Sequence, residues 1–217
     1  TERTICAASF VERVYHHALM NIDHDSFEMA QIEHSYATRP NKGTHLALQK
    51  AWENCQTGGY WLKLDVKKFF DTIHHPTLIK QLNSYFIEHP INRAFAQIIN
   101  SYAAKTDRGL PIGNLTSQYF ANFYLSFLDR YTNYQLGINK YIRYMDDIVI
   151  WFSDKDKLWA VLKALQDYIQ NELKQTFKPY TINKCGYNLP FLGFLIHKKG
   201  LLPNKRNRKK YRKKLNQ

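Results

Sequence analysis

The sequence predicts an α+β fold, an antiparallel sheet of split βαβ topology backed by helices on one face. Three observations predict it: apolar residues recur at helical spacing in several separate stretches, short β-prone runs alternate with them, and two of those runs flank only a pair of aspartates. Hydrophobic residues make up 44% of the 217, enough for a packed core and too many for a disordered chain.

Residues 7–20 place Phe10, Val11, Val14, Tyr15, Ala18 and Leu19 at the period of a helix. A second helix is expected over 43–55, opened by Gly43-Thr44. Tyr60 to Val66 reads as a buried strand. Helices over 76–88 and 91–104 are separated by His89-Pro90, where proline suits a helix start. A long helical stretch covers 115–133. Tyr141 to Met145 and Ile148 to Phe152 surround Asp146-Asp147 and read as a hairpin. Residues 154–173 align Leu158, Val161, Leu162, Leu165 and Tyr168 on one helical side. Strands near 177–183 and 190–197 follow, then a basic segment that is helical from Lys205.

Charge is unevenly placed. Lys plus Arg exceeds Asp plus Glu by 31 − 18 = 13, and ten of the basic residues fall between Lys198 and Gln217 with no acid among them. That leaves about +3 for the rest, so a cationic tail joins a nearly balanced body. Such a tail points to a polyanion partner bound through its phosphates, with simple solubility as the bland alternative. Cys6, Cys55 and Cys185 are sparse, odd in number and in no metal-ligand spacing. They read as reduced thiols of a cytoplasmic protein, without disulfide or zinc. No apolar run approaches the roughly 18 residues of a membrane span. Thr1-Glu2-Arg3 is neither an initiator methionine nor a signal peptide, so the chain is expected to begin inside a longer protein.

Two acidic positions carry the chemistry. Asp65 ends the apolar run Tyr60-Trp61-Leu62-Lys63-Leu64, and Asp146-Asp147 sit side by side between β-prone segments. Like charges so close raise each other's pKa unless a cation neutralises them. Hairpin tips favour Asp-Gly or Asn-Gly over Asp-Asp, which weighs against a merely solvated turn. Carboxylate oxygens are hard ligands suited to Mg²⁺. If the strands are neighbours, Asp65, Asp146 and Asp147 converge, and two ions about 4 Å apart can activate a hydroxyl and stabilise a leaving pyrophosphate. Asp65 and Asp146 are expected as direct ligands, with Asp147 tuning the field. His16-His17 and His74-His75 are read as structural or surface pairs, since adjacent helical histidines diverge.

Tyr144-Met145-Asp146-Asp147 resembles the YxDD signature of reverse transcriptases. Lys63-Leu64-Asp65-Val66-Lys67-Lys68-Phe69-Phe70-Asp71 resembles their first acidic motif, and Pro190-Phe191-Leu192-Gly193-Phe194 their primer-grip motif. The resemblance runs from Arg3 to about Leu215. It implies a right-hand polymerase with fingers in 1–58 (lacking their N-terminal part), palm in 59–75 and 111–197, a helical fingers/palm segment in 76–110, and the start of a thumb in 198–217. It implies two Mg²⁺ ions, with Mn²⁺ as a substitute, held at Asp65, Val66, Asp146 and Asp147. It also implies a template RNA, a DNA or RNA primer and dNTPs.

Other residues acquire roles from the same resemblance. Phe70, five residues after Asp65, matches the aromatic gate against a ribose 2′-hydroxyl, with the backbone N–H groups of Lys68 and Phe69 facing the triphosphate. Arg3 is similar to the fingers arginine that clamps the triphosphate, though the family's partner lysine would precede Thr1. Ser35 to His45 is similar to the second fingers motif, making Arg39 and Lys42 candidates for phosphate contacts. Met145, Leu192 and Gly193 are candidates for the primer, and Ser117 and Gln118 for template or primer. Lys174, Lys178 and Lys184 fit equally well as the lysine that protonates pyrophosphate.

The stretch Gly109 to Asn122 resembles the reverse transcriptases of diversity-generating retroelements, through Ile112-Gly113 and Ser117-Gln118 where group II intron enzymes usually show Gln-Gly and Ser-Pro. That subtype implies error-prone copying of a template RNA, a bacterial or phage origin, and a small basic helical accessory protein. Ile112 neither donates nor accepts a hydrogen bond, so nucleotide selection beside it would rest on shape. The alternatives are a group II intron-like or retron enzyme, and a nucleic-acid-binding module on a polymerase fold.

Overall fold

The computed structural model describes residues 5, 6 and 8–215; Arg3 lies outside them. In chain order the elements are α1 (Phe10–Ala30), α2 (Thr44–Gln56), β1 (Tyr60–Asp65), α3 (Phe69–Thr72), α4 (His75–Tyr85), α5 (Ile91–Asn100) and α6 (Leu115–Arg130). A π-helical turn over Tyr131–Gln135 leads to β2 (Tyr141–Tyr144), β3 (Asp147–Phe152), α7 (Lys155–Asn171), β4 (Thr181–Lys184), β5 (Leu189–Phe191), β6 (Phe194–His197), β7 (Gly200–Pro203) and α8 (Lys205–Leu215). Two compact units result: one of Thr1–Glu33, Val66–Gln135 and Ala164–Lys178, the other of His34–Asp65, Leu136–Lys163 and Pro179–Gln217.

The first unit is helical and aromatic. Phe27 on α1 meets Phe86, Phe95, Tyr119 and Phe123 at ring-centroid distances of 5.4 to 5.7 Å, mostly tilted or edge-on, the arrangement aromatic quadrupoles favour. Helix α1 starts at Phe10 because Ser9 and Glu12 form a capping box, the Ser9 N–H donating to Glu12 Oε2 at 2.8 Å. The predicted apolar stripe of α1 does not face the core. Phe10, Val11, Val14 and Tyr15 are exposed, and the buried face is His16, Met20, Asp23, Phe27 and Ala30. Periodicity identifies a helix but not which side is covered; Phe27, anchored among five aromatic rings, decides the rotation.

The second unit is built on a four-stranded antiparallel sheet ordered β2-β3-β1-β4. Strand β1 pairs with β3 on one side and β4 on the other. Trp61, Leu62, Leu64, Ile148, Val149, Ile150 and Trp151 are all buried, so both faces of the central strands are covered. That is why β1 reads as a near-continuous apolar run. One face carries Trp61, Ile142, Val149 and Trp151, packed with Ala47, Leu48, Ala51 and Cys55 of α2 and with Leu189, Phe191 and Ile196 of a second, three-stranded sheet ordered β5-β6-β7. The strand expected over 190–197 is therefore a hairpin, broken at Leu192-Gly193. Asp154 starts α7 by accepting from the backbone N–H of Asp156 at 2.8 Å. No helix among the described residues is long and apolar enough to cross a membrane.

Candidate active site

Strand register brings the acids together. Asp65, the last residue of β1, stands directly opposite Asp147, the first of β3, which in turn stands opposite Tyr144 of β2. Facing residues in an antiparallel pair have Cα atoms about 4.5–5.5 Å apart. The hairpin loop is Met145-Asp146, so Asp147 lies in the strand and not at the tip between the two β-prone runs. This shift of one residue puts Asp147 on the same sheet face as Asp65, since alternate residues share a face.

Lys63 shares that face as well. Its ammonium lies 3.2 Å from Asp147 Oδ2 and donates to the carbonyl of Pro190 at 2.8 Å. Burial pushes the Asp147 carboxyl up to about 6; Lys63 opposes the rise, and the charges of Asp65 and Asp146 add to it. Asp147 Oδ1 is buried without a hydrogen-bond partner. Such an orphaned acceptor costs free energy unless an ion, or water carried by one, satisfies it. Among the described residues no group of three or more His, Cys, Asp or Glu side chains is arranged to hold a metal ion. The acids come as a facing pair with Asp146 beside them in the turn. Mg²⁺ is commonly held by one or two carboxylates plus substrate phosphates, so this donor set fits a hard divalent cation.

The remaining predicted residues of this unit lie at two hairpin turns and on the loop leading into α2. Met145 at φ 53° and Leu192 at φ 46° are both left-handed, which costs a non-glycine residue roughly 1–2 kcal/mol and recurs where function over-determines the backbone. Gly193, at φ +84°, suits glycine, and a Cβ there would displace the Asn207 side chain. Its carbonyl accepts from the Asn207 side chain and from the Asn204 N–H, each at 3.0 Å, which ties the start of α8 to the hairpin turn. Arg39 donates to the Ser35 carbonyl at 3.0 Å, and Lys42 lies 5.1 Å from the centre of the Tyr36 ring. Both cations thus help shape the loop they sit on. Thr44 donates to the Tyr144 hydroxyl at 3.2 Å.

Residues assigned to nucleotide binding lie in the first unit. Lys68 is left-handed at φ 49°, ψ 47° and precedes α3, whose Phe69 is buried and meets Phe70 edge-on at 5.5 Å. The Leu110 N–H donates to the Phe70 carbonyl at 2.8 Å, and the Cys6 N–H to the Ile112 carbonyl at 2.9 Å. Phe70 and Ile112-Gly113 are thereby held close along one stretch of backbone. Gly113, at φ +119°, is needed there because a Cβ would press on the Cys6 carbonyl at 2.9 Å. Ser117 is buried in α6, which leaves Gln118 as the half-exposed member of that pair. Val66 is buried and bridges to Phe177. His16 and His75 are both buried; His75 bonds the Gly109 carbonyl at 2.6 Å, as expected of structural histidines.

Sequence reasoning missed Lys63, Asn207 and the fully buried Arg143, which donates to the Met145 carbonyl at 3.2 Å beneath the loop. Lys63 was readable, because a residue two before Asp65 on a strand shares its face. Arg143 and Asn207 left no local signal.

The fold has counterparts among solved structures. Apo telomerase from Candida tropicalis, truncated from its C-terminal domain, matches with a TM-score of 0.67 over 87% of this chain and 45% of that one, at 14% identity. Telomerase from Candida albicans in complex with a TWJ fragment of telomeric RNA gives 0.60 over 89% and 37%, at 12% identity. Likeness at such identity is one of fold. By sequence, the group II intron-encoded protein LtrA of Lactococcus lactis subsp. cremoris is 25% identical over 135 residues, 59% of this chain and 22% of that protein. An uncharacterized 91 kDa protein in the cob intron of Schizosaccharomyces pombe is 29% identical over 103 residues, 45% of this chain and 13% of that protein. The chain thus spans less than a quarter of either relative's length. The family model for reverse transcriptase (RNA-dependent DNA polymerase) matches residues 1–196, and the chain belongs to that family.

Proposed function

We propose that this chain is the fingers and palm of an RNA-directed DNA polymerase, with α8 beginning the thumb. The observation that carries the proposal is the pairing of Asp65 with Asp147, one residue from Asp146, at one end of the central sheet. Asp65 and Asp146, with the backbone of Val66, would hold Mg²⁺, or Mn²⁺ in its place. When bound, such ions supply the positive charge that phosphoryl transfer requires. Asp147 sets the field of the site. Phe70 fills space against a 2′-hydroxyl, the backbone at Lys68 and Phe69 faces the triphosphate, and Arg3 clamps it. Met145 and Leu192-Gly193 position the primer end. Arg39, Lys42, Ser117 and Gln118 serve the template or primer, and the basic face of α8 tracks duplex phosphates. Primer extension on an RNA template with dNTPs tests this: wild type extends and Asp146→Ala does not. A wild-type chain that binds RNA yet never extends a primer would leave only a nucleic-acid-binding module.

Within the family, the reading we favour is error-prone copying for sequence diversification, with a small basic helical accessory protein as partner. Its support is Ile112, an apolar residue two positions after Leu110, whose N–H bonds the Phe70 carbonyl; such a side chain offers no polar readout of an incoming base. The Ile112→Gln variant should misincorporate less opposite adenine in sequenced cDNA. An unchanged error spectrum contradicts the role of Ile112. A group II intron-like enzyme is the second reading, favoured by the identity to LtrA, and faithful cDNA from the wild type would select it.

A further inference from the structure

Three carboxylates stand at one end of this sheet, but they are not equivalent. Asp147 already has a cation: Lys63 Nζ lies 3.2 Å from its Oδ2, with the two side chains only 22% and 19% exposed. Lys63 projects from the strand that ends in Asp65, on the same face, two residues before it. The same ammonium donates to the Pro190 carbonyl at 2.8 Å. Pro190 lies in β5, the strand that runs into the Leu192-Gly193 turn.

We propose that Lys63 is a positioning residue that acts through Asp147: it neutralises this carboxylate, withdraws it from competition for divalent ions, and braces the primer-side hairpin against it. The inference rests on the polymerase reading of the site and adds a division of labour within it. A fixed ammonium a hydrogen bond away cancels most of the carboxylate's charge at close range, where partial burial keeps the effective dielectric low. Metal binding then falls to Asp65 and Asp146. Without Lys63, no fixed ammonium offsets the field of the three acids, and the site attracts divalent cations more strongly while holding them less specifically. A bond to a main-chain carbonyl also fixes Lys63 from its far side, so the brace works on β5 without needing any particular side chain there.

The proposal predicts an unusual pair of effects. Mn²⁺ binding to Lys63→Met, followed by electron paramagnetic resonance in the absence of substrate, should tighten on the order of tenfold. Primer extension at saturating metal should nevertheless slow on the order of tenfold, with a raised KM for the primer. Lys63→Arg keeps the charge and should return Mn²⁺ affinity towards the wild-type value. In an Asp147→Asn background, Lys63→Met should leave Mn²⁺ affinity unchanged, because the partner through which it acts is gone. Weaker or unaltered Mn²⁺ binding in Lys63→Met overturns the proposal, as does an equal effect in the Asp147→Asn background or a wild type that binds no Mn²⁺. Circular dichroism identifies a misfolded variant, in which case Lys63→Gln takes its place under the same criteria. A wild type that binds Mn²⁺ but extends no primer would instead overturn the polymerase reading, while the Mn²⁺ comparisons still decide the role of Lys63.

Discussion

The aromatic cluster around Phe27 and the acid end of β1 and β3 are held by opposite physics. Phe27 is 3% exposed among five rings and carries no charge, so its contribution is area buried and close packing. Asp65, Asp146 and Asp147 bring three carboxylates together, and Asp147 has a buried oxygen that nothing donates to. One region is complete in the protein alone, and in the other burial and gathered like charges push the Asp147 pKa up. The difference teaches where stability and function were separated: the packing around Phe27 needs no ion, while gathered carboxylates repel one another unless a cation offsets them.

The comparison breaks most visibly at Phe27. Truncation to alanine should cost about 3–5 kcal/mol, read as a fall in urea midpoint that added Mg²⁺ does not restore. At the acid end the sign with pH is distinctive. Burial pushes the Asp147 carboxyl up to about 6 in the folded chain, from an ordinary value of 3.8. The folded state therefore binds its proton more tightly, and metal-free stability should fall as pH rises from about 4 to 6, levelling off above. The full loss is about 3 kcal/mol. Denaturation in chelator across that range should show the fall, with Asp147→Asn flattening it and Mg²⁺ at pH 7 recovering part of it. Gly193→Ala tests the hairpin turn, where φ +84° and the crowding Asn207 side chain meet. A loss of about 1–2 kcal/mol in urea denaturation is expected. Smallest of all, Val11→Ser on the exposed side of α1 should stay within about 0.5 kcal/mol of wild type in the same measurement.

What was legible in the sequence follows the range of the interactions involved. Strand β1 announced itself because both its faces are buried, and the helices because their apolar period is local. The acid constellation was legible too, since two β-prone runs around adjacent aspartates leave little choice but a hairpin. Its register was not: only the ladder shows that Met145-Asp146 is the loop and that Asp147 faces Asp65. The rotation of α1 was not legible: Phe10, Val11, Val14 and Tyr15 have helical spacing, whereas the covering partners of Phe27 come from residues 86, 95, 119, 120 and 123. The break at Leu192-Gly193 escaped notice because a two-residue turn leaves the apolar run intact. Lys63 and Asp147 are 84 residues apart, and no local pattern reports a pair at that separation.

The central claim is that carboxylates meeting at one end of this sheet hold divalent ions, and anomalous scattering from Mn²⁺-soaked crystals tests it most directly. A peak about 2.1 Å from carboxylate oxygens of Asp65 and Asp146 is the expected result. Crystals saturated with Mn²⁺ that show no peak within reach of either residue would contradict it.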